Sequence, residues 1–247
     1  DPFGVYNPFY KIDHILTTPI KSFKLARSKQ DAIDQVERAL RTVGLNPADV
    51  LGRYPHQLSG GHPQRITIAR ALLLPPKLIL ADEPVSIVDA SLRATILESL
   101  LTLYRDFQIS FMYITHDLTT AYQIAEELIV LYRGAMVEAG LVTEVIRNPR
   151  HPYTQLLIQS IPSPDPDKPW GTVSASDQRD TVVNVGCRFA PRCPFVMDEC
   201  RVTEPPRFHV GNAAVACYLF KDQPVVTRDE LISITGKRHQ AGQPVSQ

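Results

Sequence analysis

From Gln30 to Val43 the apolar residues fall at Ala32, Ile33, Val36, Ala39, Leu40 and Val43, a spacing that predicts an amphipathic helix. Gly44 ends it, and Asn46-Pro47-Ala48-Asp49 can start a short helix of its own. From residue 73 the pattern changes. Leu78-Ile79-Leu80-Ala81 is a short apolar run after Pro75-Pro76, and suits a buried parallel strand over 78–82. A helix follows from about 90 to 106, then a strand over 110–115 and a helix over 118–126. Two further strands, near 128–132 and 135–139, flank a turn at Arg133-Gly134. Such alternation argues for an α/β fold with a largely parallel core. The chain thus divides into a mostly helical region 1–72, an alternating region 73–145, and a region 146–247 with proline clusters at 162–169 and all four cysteines.

Composition narrows the classes. At 247 residues the chain forms one large domain or two modest ones. Hydrophobic content is 44% and formal net charge is zero, so nothing suggests a nucleic-acid groove or a polybasic membrane anchor. No apolar run approaches the roughly 18–20 residues that span a bilayer, and no secretory signal is visible. The expectation is a soluble, cytosolic protein that reaches a membrane only through a partner.

Chemistry concentrates in residues 57–83, QLSGGHPQRITIARALLLPPKLILADE. Ser59 can cap the helix that follows, while Gly60 and Gly61 let its backbone approach an anionic ligand. Pro63 sits in the first turn, where a missing N–H costs least. A helix N-terminus stripped of side chains is a ready phosphate site. The strand after it ends in Asp82-Glu83, two carboxylates that can hold Mg²⁺ with the first and orient a water with the second. Alone, a Ser-Gly-Gly is usually an ordinary turn, and an acidic pair an ordinary solvated strand end. Their order and spacing carry the argument.

That pairing resembles the ABC-transporter ATPases, whose LSGGQ motif sits just upstream of a Walker B strand. Ser86-Ile87-Val88-Asp89 resembles the family's D-loop, usually SALD, with Ile87 and Val88 departing conservatively. Phe111-Met112-Tyr113-Ile114-Thr115 delivers His116-Asp117, and His116 lies 33 residues beyond Glu83, where the family places its switch histidine. The resemblance implies that Ser59, Gly60, Gly61, His62 and Asp89 serve the nucleotide, that Asp82 serves Mg²⁺, and that Glu83 and His116 are catalytic. It departs at His62, where the motif has Gln, and at the following Pro63. Histidine still donates one hydrogen bond, but with different geometry and a pH-sensitive charge.

No G-x-x-x-x-G-K-[ST] occurs in the chain, so the phosphate-cradling loop and its lysine are missing from it. Asp1-Pro2-Phe3-Gly4-Val5-Tyr6-Asn7-Pro8 resembles the stretch just after the Q-loop glutamine of peptide-importer ATPases. The expectation is a piece of a longer ATPase, unable to bind ATP tightly by itself.

Two C-terminal segments narrow the resemblance. Asn148-Pro149-Arg150-His151-Pro152-Tyr153-Thr154-Gln155-Leu156-Leu157 resembles the NP-x-HPYT-x-x-L segment of oligopeptide and dipeptide importers. Physically it is a proline-punctuated turn leading into an amphipathic helix. Cys187, Cys193, Cys200 and Cys217 then follow within 31 residues, and Gly186-Cys187-Arg188-Phe189-Ala190-Pro191-Arg192-Cys193-Pro194 resembles the tail of the same importers. Some of those carry a [4Fe–4S] cluster, which four thiolates can hold. Zinc stays open although it generally prefers C-x2-4-C knuckles, as do free or paired thiols, the latter disfavoured in a reducing compartment.

The resemblance therefore implies the C-terminal part of an ABC ATPase domain: a helical subdomain, a parallel-sheet core and a small cysteine-rich region. It implies an ATP-binding subunit of a di- or oligopeptide importer at the cytoplasmic face of the membrane, held there peripherally. Its partners would be a second ATPase subunit, two transmembrane permease subunits and, through them, an extracytoplasmic substrate-binding protein, with no nucleic acid. Three other readings stay open. The chain is a non-catalytic module completing a partner's ATP site, or the ATPase of a nickel importer, or, least, a soluble ABC ATPase of DNA repair or translation.

Overall fold

The computed structural model describes residues 6–59, 61–86, 88–161 and 185–235. Residues 1–5 of the opening stretch, Gly60, Ile87 and the proline cluster at 162–169 lie outside the described residues. The chain forms two compact units, Asp1–His116 and Asp117–Gln247.

The first unit opens with helices α1 (Ile12–Ser22), α2 (Lys29–Thr42), α3 (Pro47–Val50) and α4 (His62–Leu72). Their apolar faces meet around Ile12, Leu16, Leu40, Val43, Val50 and Ile66, all fully buried. Two of the caps, Gly44 and Asn46, are those the sequence announces, and Ser28 is added by the structure. Ser28 Oγ accepts the Asp31 N–H at 3.1 Å to start α2, Gly44 ends it at φ +70°, and Asn46 starts α3. Strand β1 (Leu78–Asp82), helix α5 (Ala90–Phe107) and strand β2 (Ser110–Ile114) complete the unit. β1 and β2 pair in parallel, with Leu78 opposite Ser110 and Asp82 opposite Ile114.

β1 is less buried than its apolar run suggests. Leu78 and Leu80 are 53% and 65% exposed, while Ala81 is buried. Strand side chains alternate between two faces, and only one face of this two-stranded pair is packed.

The second unit holds α6 (Leu118–Ile124), β3 (Glu127–Tyr132), β4 (Ala135–Leu141), α7 (Val142–Arg147), α8 (Pro152–Gln159), α9 (Asp198–Val202), β5 (Phe208–Val210), β6 (Ala213–Val215) and α10 (Arg228–Ile234). Its sheet runs β3-β4-β6-β5 and is antiparallel throughout. Among the described residues, parallel pairing is thus confined to β1 and β2, less than the alternation predicted. The reason is local. Arg133 and Gly134 both adopt positive φ, +49° and +77°, making a two-residue hairpin that can only return antiparallel. Val130, Tyr132, Val137, Val145 and Phe189 form a core in this unit. Among the described residues no helix is long and apolar enough to cross a membrane.

Candidate functional site

β1 and β2 end side by side, so the residues that follow them meet. The Glu83 N–H donates to Ile114 O at 2.9 Å, and Glu83 itself sits at φ +44°, in the left-handed region. From there its Oε1 lies 2.8 Å from His116 Nδ1, and both side chains are open to solvent, 45% and 76% exposed. Asp82 is exposed at the same strand end. A left-handed non-glycine residue costs about 1–3 kcal/mol, whereas an exposed ion pair returns about 0–1 kcal/mol. Stability does not account for this arrangement. A carboxylate hydrogen-bonded to an imidazole at an open strand edge can orient and polarise a water held there.

The Ser-Gly-Gly turn differs from its sequence reading in one respect. Ser59 does not cap α4 with its side chain; Gly61 is the N-cap, and the His62 N–H bonds to the Ser59 carbonyl at 2.9 Å. The Ser59 hydroxyl instead meets His62 Nδ1 at 2.9 Å. Burial, and after it Arg65, holds His62 below the usual imidazole range; Asp49 opposes and Arg53 adds to the shift. Gly61 is needed for close approach: a Cβ there would lie 2.8 Å from Leu92 Cδ2. Leu92 belongs to the first turn of α5, which Asp89 caps by accepting the Leu92 N–H at 3.0 Å and the Ser91 hydroxyl at 2.8 Å. Those bonds, the Leu92 one first, lower the Asp89 carboxyl below the ordinary range. The Ser-Gly-Gly turn and the Asp89 turn are therefore packed on one another.

In the second unit, Glu138 stands fully buried in β4. Its Oε1 accepts the Arg150 N–H and its Oε2 the His151 N–H, each at 2.9 Å. Burial raises its carboxyl above the usual range, and the bonds from the His151 and Arg150 N–H groups pull it back. His151, 1% exposed, accepts the Tyr153 N–H on Nδ1 at 3.0 Å and so caps α8. Burial lowers its imidazole to about 4, so the ring is neutral. Sequence reading quoted the His-Pro-Tyr segment without this role and missed Glu138, whose signal was a lone acid in the apolar run AMVEAGL.

The four cysteines, all free, line one pocket together with His151 and Phe189. The Cys187 N–H donates to Cys200 O at 2.7 Å. Gly186 permits this approach: it sits at φ +82°, and a Cβ on it would fall 2.4 Å from Cys200 O. Burial raises the Cys187 and Cys193 thiols and takes Cys217 to about 11, with neighbouring thiols adding to each shift. Among the described residues, no group of three or more His, Cys, Asp or Glu is set to hold a metal ion. The convergence of the thiols is a structural finding; a metal or cluster between them is not.

Comparison with known proteins places these features in context. Residues 9–86 match the ABC transporter family model, and residues 137–200 match the model of the oligopeptide/dipeptide transporter C-terminal region. The oligopeptide transport ATP-binding protein OppF of Salmonella typhimurium is 39% identical over 221 residues, covering 88% of this chain, and the chain spans 66% of the length of that protein. The putative oligopeptide transport ATP-binding protein YkfD of Bacillus subtilis is 36% identical, covering 90% of this chain and 69% of its own length. Among solved structures, the ATP-binding cassette MJ0796, a dimer in a post-hydrolysis state bound to ADP and Pi, superposes with a TM-score of 0.50 at 27% identity over 56% of this chain and 59% of that one.

Proposed function

The chain belongs to the ATP-binding proteins of oligopeptide and dipeptide ABC transporters, and on that premise we propose that it is the part of a peptide-importer ATPase that polarises the attacking water and lends the signature turn to a partner. The observation that carries this reading is the 2.8 Å contact between Glu83 and His116 at the ends of two paired parallel strands. Glu83 polarises the water, His116 stabilises the γ-phosphate, and Asp82 serves Mg²⁺, which neutralises charge on the phosphates when bound. Ser59, Gly60 and Gly61, with His62 in place of the usual Gln, face the nucleotide of a second ATPase subunit, and Asp89 supports that contact through its turn. The three regions 1–72, 73–145 and 146–247 act as helical subdomain, catalytic core and importer-type extension. Two permease subunits hold the protein peripherally at the cytoplasmic face and receive peptide from an external binding protein.

The test is Glu83→Gln in the intact natural protein. Steady-state hydrolysis is expected to be lost, by about 10²-fold or more, while ATP binding persists. Unchanged turnover removes Glu83 from the role.

A second reading, a non-catalytic module that completes a partner's site, draws on the Ser59 hydroxyl already engaged by His62.

The cysteine pocket belongs to the same proposal. Cys187, Cys193, Cys200 and Cys217 would hold a [4Fe–4S] cluster, with zinc as the alternative. Four free thiols on one pocket are the observation that supports a thiolate-held group there. Such a group would supply a one-electron redox centre or a rigid cross-link between chain segments.

A further inference from the structure

We infer that His151 is the hydrogen-bond donor of the four-thiol pocket, its Nε2–H directed at the sulfur held there. The inference rests on the cluster reading above and concerns a residue which that reading leaves unused. Three observations carry it. The imidazole is 1% exposed and lines the same pocket as Cys187, Cys193, Cys200 and Cys217. Its Nδ1 accepts the Tyr153 N–H at 3.0 Å, so that nitrogen carries no proton and the neutral ring carries its proton on Nε2. Geometry alone sets the tautomer. Lastly, the backbone that carries the ring is held, since Glu138 accepts both the Arg150 and the His151 backbone N–H at 2.9 Å.

That last point adds a second restraint to the helix cap. Capping α8 needs one acceptor, which an exposed Ser or Asn supplies without a buried carboxylate. A carboxylate with no exposed surface is costly unless it is hydrogen-bonded, and Glu138 meets that condition through the two backbone N–H groups of this turn. Those bonds fix the backbone of a residue that lines the thiol pocket. Tyr218 also lines the pocket, but its hydroxyl already donates to Glu204 O at 3.5 Å. Four thiolates around iron concentrate negative charge on sulfur, and an N–H donor stabilises the more reduced state, where that charge is greater.

The test uses the full chain labelled with ¹⁵N-histidine and reconstituted anaerobically with ferric iron, a thiol reductant and sulfide. Iron and sulfide are counted, the midpoint potential is titrated optically, and the reduced form is examined by pulsed EPR. A weak coupling to one histidine nitrogen is expected in the wild type. His151→Asn keeps an acceptor oxygen for the cap but loses the ring donor. It is expected to bind the same iron and sulfide, to lose the coupling and to shift the midpoint to more negative potential. A bound cluster with no histidine coupling, or an unmoved midpoint in a variant that merely melts earlier, overturns the donor role and leaves the cluster reading standing. A strong, directly bonded coupling overturns it too, by making His151 a ligand. Failure of the wild type to take up iron and sulfide overturns both. The labelled wild-type spectrum decides the matter even if the variant does not fold.

Discussion

Tyr6, 5% exposed, offers its hydroxyl to Thr67 Oγ1 at 2.6 Å and to Pro63 O at 3.4 Å, tying the start of the described chain to α4. Burial pushes its phenol up to about 12, against the opposing pull of Thr67 and Arg70. The folded state therefore holds this proton more tightly than the unfolded chain does. The associated stability is fully present below pH 10 and is lost as pH rises from 10 to about 12. A rise of that size is worth roughly 2–3 kcal/mol. Tyr6→Phe is expected to flatten that alkaline slope in urea melts of the first unit, and equal slopes in the two proteins would refute the linkage. At the same scale, the family resemblance of their motifs pointed to Glu83 and His116. The left-handed backbone that turns Glu83 toward His116 could not be foreseen, because nothing in the residue type glutamate favours φ +44°.

Elements differ in how tightly they constrain their glycines. Gly186 has backbone atoms against it, at 2.4 Å to Cys200 O, and a positive φ besides. Gly61 has only the flexible end of Leu92. Gly186→Ala is thus expected to force apart the turns that carry Cys187 and Cys200, with a cost of about 3 kcal/mol or more. Gly61→Ala should cost about 1–2 kcal/mol, relieved in part by Leu92→Ala. Thiol-labelling rates read the first, since opened turns expose all four cysteines together, and thermal midpoints read the second. Phe189 provides an independent check on the second unit. Its ring is 1% exposed and packs edge-on to Tyr132 at 5.2 Å and against Tyr153 at 5.5 Å. Phe189→Ala should destabilise that unit by about 3–5 kcal/mol in denaturant melts; a loss under about 1 kcal/mol would mean the aromatic cluster is not a core.

For the whole molecule the question is whether its chemistry is self-sufficient. The open edge that bears Glu83 and His116 has no phosphate-loop motif in this sequence to accompany it. The chain alone is expected to release no phosphate from ATP. Mixed with a phosphate-loop-bearing partner subunit, it is expected to raise that partner's turnover, and Ser59→Arg to abolish the increase. Turnover by the isolated chain would refute the dependence; no gain on mixing would remove the Ser-Gly-Gly turn from the partner's site.

The resemblance of the chain's motifs pointed to the family. The sequence by itself determined the local features: a helix from Gln30 to Val43 stopped at Gly44, strands over 78–82 and 110–115, and the turn at Arg133-Gly134. These are set by periodicity, caps and turn residues that act within a few positions of one another. Only the tertiary structure decided which groups meet. It moved the Ser59 hydroxyl to His62, made most of the described sheet antiparallel, buried Glu138 beneath the His151 turn and gathered four cysteines onto one pocket. The Glu138 and cysteine contacts join residues distant in the chain, and the Ser59–His62 contact, though only three residues apart, depends on the local backbone path; residue order displays neither.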